Sequence, residues 1–202
     1  LGKKELCFYN GTKTTQLIGG NSVLDEINEV IEKIRQGDTK AFGLVYDEYV
    51  KMVASVIRKV GRCSRGDVDF HINEVFFRVY KGIFSFKGNS KFSTYVYRIA
   101  LNYSFQLSKK VRKESKRKVE LDENIANEER HFEDGVVDGI FMEKLLDRLT
   151  DKLRAVVVLF YYESLSVKEI AEVENISEAA VKNRLFQARD KIKQMITEDK
   201  NA

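Results

Sequence analysis

The sequence predicts an all-α protein of two small helical domains, and three observations carry that. The 202 residues contain no proline, so nothing in the chain forces a helix to break. Apolar residues recur at spacings of three and four through stretch after stretch, and no alternating run is convincing as a strand. An acidic, polar stretch over 119–137 separates two such groups. The expected division is a loosely ordered arm over 1–22, a first domain over 23–118, a flexible linker over 119–137 and a second domain over 138–202.

Composition narrows the class. Hydrophobic residues make up 43% and charged residues 33%, which describes a globular chain and not a disordered one. The net charge of +4 is mildly basic, so the placement of charge matters more than its sum. Cys7 and Cys63 stand alone and far apart, which suits a reducing compartment and makes no disulfide framework. His71 and His131 have no partners at ligand spacing, so no metal is expected. No apolar run is long enough for a signal peptide or a membrane span, and the expected location is the cytoplasm.

In chain order, structure begins at Val23, where Leu24, Ile27, Val30, Ile31 and Ile34 form a helical stripe. Gly37 stops that helix and Asp38 caps the next, whose apolar face runs from Phe42 to Val60. After the polar break 61–66, a third helix from Asp67 to about Ile83 buries Val68, Ile72, Val75, Phe76, Val79 and Tyr80. It shows Asp69, Asn73 and Glu74 to solvent. Residues 84–91 read as a loop, and Ser93 or Thr94 caps a fourth helix. Beyond the linker, Phe141 to Leu149 forms one helix and Leu153 to Tyr162 a second. The short run Val156 to Leu159 looks strand-like but lies inside that helix-length segment.

Two stretches carry the chemistry. Between Lys87 and Lys118 there are ten basic residues against Glu114 alone, with Phe92, Tyr95, Tyr97 and Tyr103 interleaved. Cations neutralise phosphates and aromatic faces stack on unpaired bases, a combination suited to single-stranded or melted nucleic acid. The second stretch runs from Ser164 to Ile196. Ser166 with Glu169 forms a capping box for a short helix, and Asn175 suits a left-handed turn. Ser177 then caps a longer helix with the stripe Val181, Leu185, Ala188 and Ile192. A short helix, a tight turn and a longer helix with a polar outer face describe a helix-turn-helix whose second helix enters a major groove. No phosphate loop, nucleophile elbow or histidine–carboxylate cluster appears, so the chain is not expected to be an enzyme, and no cofactor is expected.

With both stretches in hand, the chain resembles the extracytoplasmic-function (ECF) group of bacterial sigma factors, the smallest members of the sigma-70 family. The first domain carries the resemblance in GDTKAFGLVYDEY and NEVFFRVYKGIFSFKGNSKFSTYVYRIALN. The second carries it in LLDRLTDKLRAVVVLFYYESLSVKEIAEVENISEAAVKNRLFQARDKI. The resemblance implies a transcription initiation factor that binds core RNA polymerase, recognises the minus-35 and minus-10 promoter elements and promotes melting. It places polymerase contacts on the β′ clamp helices at Asp69, Asn73 and Arg78. Minus-10 and melting contacts fall on Lys87, Asn89, Ser90, Lys91, Phe92, Tyr95, Tyr97, Arg98 and Asn102. Minus-35 contacts fall on Ser177, Glu178, Ala180, Lys182, Asn183, Arg184 and Gln187. The second domain would also touch the β flap, and an anti-sigma factor is a common partner in the family.

Departures from the family pattern are also legible. The usual D-L-V-Q-E run is Phe70, His71, Ile72, Asn73 and Glu74; the usual Trp of the melting helix is Tyr95, which keeps a stacking face. The common Gly-Thr pair is Ala179–Ala180 and a common Arg is Gln187, which removes polar contacts to DNA. Two other functions fit parts of the pattern: a sigma-like helix-turn-helix regulator that does not engage polymerase, and a helical RNA-binding protein using the basic stretch.

Overall fold

The computed structural model describes residues 7–9, 12–14, 23–121 and 137–201. Among the described residues, eight α-helices make up the body. The first four are α1 (Val23–Arg35), α2 (Ala41–Lys59), α3 (Val68–Ile83) and α4 (Phe92–Leu121). The second four are α5 (Val137–Arg148), α6 (Asp151–Val157), α7 (Val167–Glu174) and α8 (Glu178–Asn201). Two three-residue strands, β1 (Cys7–Tyr9) and β2 (Thr12–Thr14), pair antiparallel with Phe8 opposite Lys13. This pairing was not foreseen within the arm. The Asn10–Gly11 dipeptide between the strands is the strongest short hairpin signal a sequence offers, and the lack of periodicity around it hid that signal.

The expected helices form, with boundary shifts that have local causes. Asp38 does cap α2: its carboxylate accepts the N–H groups of Lys40 (2.9 Å) and Ala41 (3.3 Å). Neither Ser93 nor Thr94 begins α4. The helix starts at Phe92, and Thr94 is buried in the core, because Phe92, Val96 and Ala100 form one buried stripe at spacings of four. At its far end α4 runs to Leu121, past the boundary expected at 118. Most of the expected linker, residues 122–136, lies outside the described residues, as does most of the arm.

Helices α1 to α4 pack around Ile31, Ile34, Val53, Val56, Ile57, Val75, Val79, Ile83 and Val96, all buried. Arg35 of α1 ties this bundle to the next loop. Its guanidinium donates to the carbonyl of Ile83 (3.3 and 3.1 Å) and to that of Phe86, satisfying acceptors that the end of α3 leaves open.

The second half does not close on itself. Every residue from Leu153 to Leu159 is buried, so α6 needs cover on all sides. One side is given by α8, through a cluster of Leu146, Leu149, Leu153, Val157 and Ala188. The other is given by the first bundle, so that Val156, Val158, Leu159 and Ile170 share one contiguous core with it. Helix α6 ends in a single π turn, Val158–Tyr162, and Ser164 then takes a left-handed conformation at φ 56°.

Candidate nucleic-acid interface

Two surfaces emerge, one on each half. The first is the loop 84–91 with the start of α4. Lys87, Asn89 and Lys91 are exposed, and Gly88 holds the turn at φ 74°, a conformation that favours glycine. Ser90 is half-buried. Phe92 is only 3% exposed, so it offers no face to a base. It packs edge-on against Tyr49 and Phe86 instead, anchoring the loop to the bundle. Tyr95 lies half-buried between Phe86 and Phe92 at ring separations of 5.0 and 5.6 Å. Its hydroxyl sits so close to Gly82 that a Cβ there would come within 1.9 Å, so the glycine lets ring and helix meet. Asn102 is exposed further along α4. Beside the loop opens a cleft of about 780 Å³, lined by Asn28, Glu32, Arg35, Phe86, Lys87 and Gly88.

Tyr97 and Arg98 also belong to α4, and both turn toward the second half. The Tyr97 hydroxyl donates to Glu163 at 3.3 Å. Burial, then the Glu163 charge, pushes its ionisation well above the ordinary tyrosine range. Burial likewise raises the Glu163 carboxyl, and hydrogen bonds from Ser55 and Tyr97 offset this only in part. Arg98 donates twice to the carbonyl of Glu172, at 3.0 and 2.6 Å. Lys91 pairs with Glu169 at 3.3 Å.

The second surface is α8. Ser177 caps it, accepting the N–H of Ala180 at 3.2 Å. The capping box of α7 is complete, with Ser166 and Glu169 bonded in both directions. Asn175 takes the left-handed turn at φ 55°, as the sequence predicts. Glu178, Lys182, Asn183 and Gln187 are exposed, and Ala180 is half-buried. Arg184 is half-buried and pairs with Glu174, a side chain only 6% exposed. Burial pushes the Glu174 carboxyl up, and the guanidinium offsets this in part. Periodicity held the clue, because Arg184 lies three residues past Val181 and four before Ala188, beside the buried stripe. Phe186 was missed, though it is 70% exposed in the middle of the polar face. Its signal was an apolar residue out of phase with the stripe.

Helix α3 presents a third face. Asp69 and Asn73 are exposed and one turn apart, as expected. Arg78 lies roughly 140° around the helix from Asn73 at 100° per residue. It stacks over Tyr103 at 4.7 Å and faces α4, so the three do not form one patch. Phe70 (66% exposed) and Phe77 (53%) share the Asp69 side and complete an apolar-acidic surface. Among the described residues no cluster could hold a metal ion, and no helix is long and apolar enough to cross a membrane.

Comparison with known proteins identifies the two halves. Residues 45–115 match the Sigma-70 region 2 family and residues 142–192 the Sigma-70, region 4 family. This is the order of a sigma-type transcription factor. The ECF RNA polymerase sigma factor SigW of Bacillus subtilis is 32% identical over 187 residues, covering 84% of this chain and 96% of that one. The ECF RNA polymerase sigma-E factor of Haemophilus influenzae is 29% identical over 182 residues, covering 83% and 93%. The chain belongs to the ECF RNA polymerase sigma factors. The fold agrees. CnrH, solved in complex with the cytosolic domain of CnrY, superposes with a TM-score of 0.63 at 22% identity, covering 85% of this chain and 97% of that one. RpoE of Bartonella quintana, solved with the anti-sigma factor NepR, gives 0.52 at 15% identity, covering 86% and 95%. The chain is thus a transcription initiation factor that works with RNA polymerase on promoter DNA.

Proposed function

We propose a division of labour among the three surfaces. The Asp69, Phe70, Asn73 and Phe77 face of α3 docks on the clamp helices of the β′ subunit, apolar rings supplying contact area and the polar groups register. The outer face of α8 reads the minus-35 element. Lys182, Asn183 and Gln187 supply polar contacts from the first turns of the helix, with the Ser177–Ala180 start against the backbone. Phe186 offers an apolar surface for a thymine methyl. Arg184 acts indirectly, holding the α7–α8 turn through Glu174. The 84–91 loop and α4 open and hold the minus-10 element. Lys87 and Lys91 attract the backbone, Asn89 and Asn102 reach base edges, and the cleft beside Phe86 accepts an unstacked base. Phe92 and Tyr95 support that loop from behind.

The observation that carries this is the pairing of two exposed cationic surfaces with different surroundings. The α8 surface is a rigid, capped helix suited to a duplex groove. The other is a glycine-containing loop over aromatic rings and a cleft, suited to a strand. The chain performs no reaction of its own; catalysis belongs to the polymerase. It acts in the cytoplasm, and the neighbour solved with the anti-sigma factor NepR supports regulation by an anti-sigma protein. Adding the chain to core polymerase on a library of promoter fragments should yield transcripts from a sequence-defined subset. Binding to core enzyme without any transcript, or DNA binding without core binding, would overturn the proposal.

A further inference from the structure

We propose that Arg35 of α1 is a positioning residue for promoter opening: it clamps the base of the 84–91 loop, so that Lys87 and Asn89 meet the strand in one fixed arrangement. This rests on the reading of that loop as the opening element. Arg35 lies in the last turn of α1, one turn past Ile31 and next to Ile34, both buried, so the core fixes where its side chain starts. Each of its three guanidinium nitrogens is engaged. Nε and Nη2 donate to the Ile83 carbonyl at 3.3 and 3.1 Å, Nη2 also donates to the Phe86 carbonyl, and Nη1 pairs with Glu32 at 2.6 Å. A guanidinium committed in this way is no spare cation for a phosphate. Its planar fork joins two carbonyls in a geometry that a point charge does not impose.

The loop, more than α3, needs this clamp. The Ile83 carbonyl already accepts the Phe86 N–H at 3.2 Å, and that of Gly82 accepts the Ser85 N–H at 3.1 Å and its hydroxyl at 3.0 Å. The Phe86 carbonyl has no partner but Arg35 among the described residues. Residues 87–90 make no backbone hydrogen bond among the described residues, and the chain is next fixed at Phe92, buried against Tyr49 and Phe86. The tip with Lys87, Asn89 and Gly88 at φ 74° is therefore strung between two anchors, the Arg35 clamp and Phe92. Without the clamp, the tip spreads over many arrangements, and capturing a strand must freeze one of them. An element that traps bases during a brief fluctuation is slowed by that ordering, while the closed complex on duplex, held by α8, is left as it was.

The test uses holoenzyme assembled from core polymerase and the full chain, on a promoter recovered from the library, with R35A, R35K, K87A/N89A and R35A/K87A/N89A. Permanganate reactivity followed against promoter concentration separates the opening rate at saturation from the concentration that gives half of it. R35A should open linear duplex about tenfold more slowly at saturation, with the half-saturating concentration and the affinity for core within about twofold of the parent. R35K keeps a cation but not the fork, and should not restore the rate. Because both sets of changes act through the tip, adding R35A to K87A/N89A should slow opening no further. Ile72→Val removes a buried methyl about 16 Å along α3 from Ile83, controls for lost stability, and should open at the parent rate. Opening at the parent rate by R35A, full rescue by R35K, equal slowing by Ile72→Val, or effects of R35A and K87A/N89A that multiply would each overturn the proposal. If K87A/N89A itself opens at the parent rate, the loop is not the opening element, and the reading beneath the proposal falls with it. Should R35A not fold, R35Q, which keeps one amide donor, carries the same comparisons.

Discussion

At the scale of single residues, two cations separated by one position on α8 have opposite roles. Lys182 is exposed and Arg184 is turned in upon Glu174. Lys182→Ala should weaken promoter binding by about 1–3 kcal/mol if it reads a base, with little change in the urea midpoint. Arg184→Ala leaves a buried carboxylate unpaired and should destabilise the fold by roughly 2–3 kcal/mol, less than a fully buried pair because the Arg184 side chain keeps some exposure. Denaturation and binding titrations on both variants check the split; equal loss of affinity without loss of stability would contradict it. His71 makes a second prediction. Its ring shares a 2.6 Å hydrogen bond with the Tyr103 hydroxyl, and burial holds its pKa below the ordinary 6.5. The folded form thus resists a proton that the unfolded chain accepts. The stability contribution is complete above 6.5 and is lost as pH falls through the depressed folded value. His71→Gln should flatten the stability profile between about pH 7 and pH 5 relative to the parent, measured by urea unfolding; parallel profiles would contradict the assignment.

At the scale of elements, the helix-turn-helix is built almost wholly from local signals. The capping box, the Asn175 turn and the Ser177 cap were all legible because each depends on side chains within three or four residues. Orientation was legible only where phase was consulted. Phe92 belongs to the stripe with Val96 and Ala100, which buries it, and Arg184 flanks that of Val181 and Ala188, which half-buries it beside Glu174. The turn before α7 contains the element-scale prediction. Ser164 sits at φ 56°, a conformation costly for a residue with a Cβ. Ser164→Gly should raise stability by roughly 0.5–1 kcal/mol, the relief of strain being reduced by glycine's greater freedom when unfolded. A lower melting temperature would show that the serine side chain contributes more than its strain costs.

At the scale of the whole molecule, the contact between halves had no sequence signal, because Tyr97 and Glu163 are 66 positions apart and no local period links them. Nearer at hand, the sequence does hold an unbroken apolar run from Ala155 to Leu159, and the structure buries all of it, more than a helix covered on one side can use. The shared core predicts that a protease site inserted within 122–136 can be cut without separating the halves, which should co-elute from a sizing column in low salt. Separate elution would contradict the shared core. Promoter opening by the 84–91 loop with α4 is tested by scoring opening on linear duplex against a pre-melted template. A protein without a motor can only trap bases that open transiently, at a cost of a few kcal/mol per unstacked base. With Lys87, Asn89 and Lys91 all changed to alanine, holoenzyme should assemble normally and permanganate should detect no opened thymines on the duplex. Much of the transcription should return on a template carrying a mismatched bubble. Normal opening of linear duplex by the triple variant would show that this loop is not the melting element.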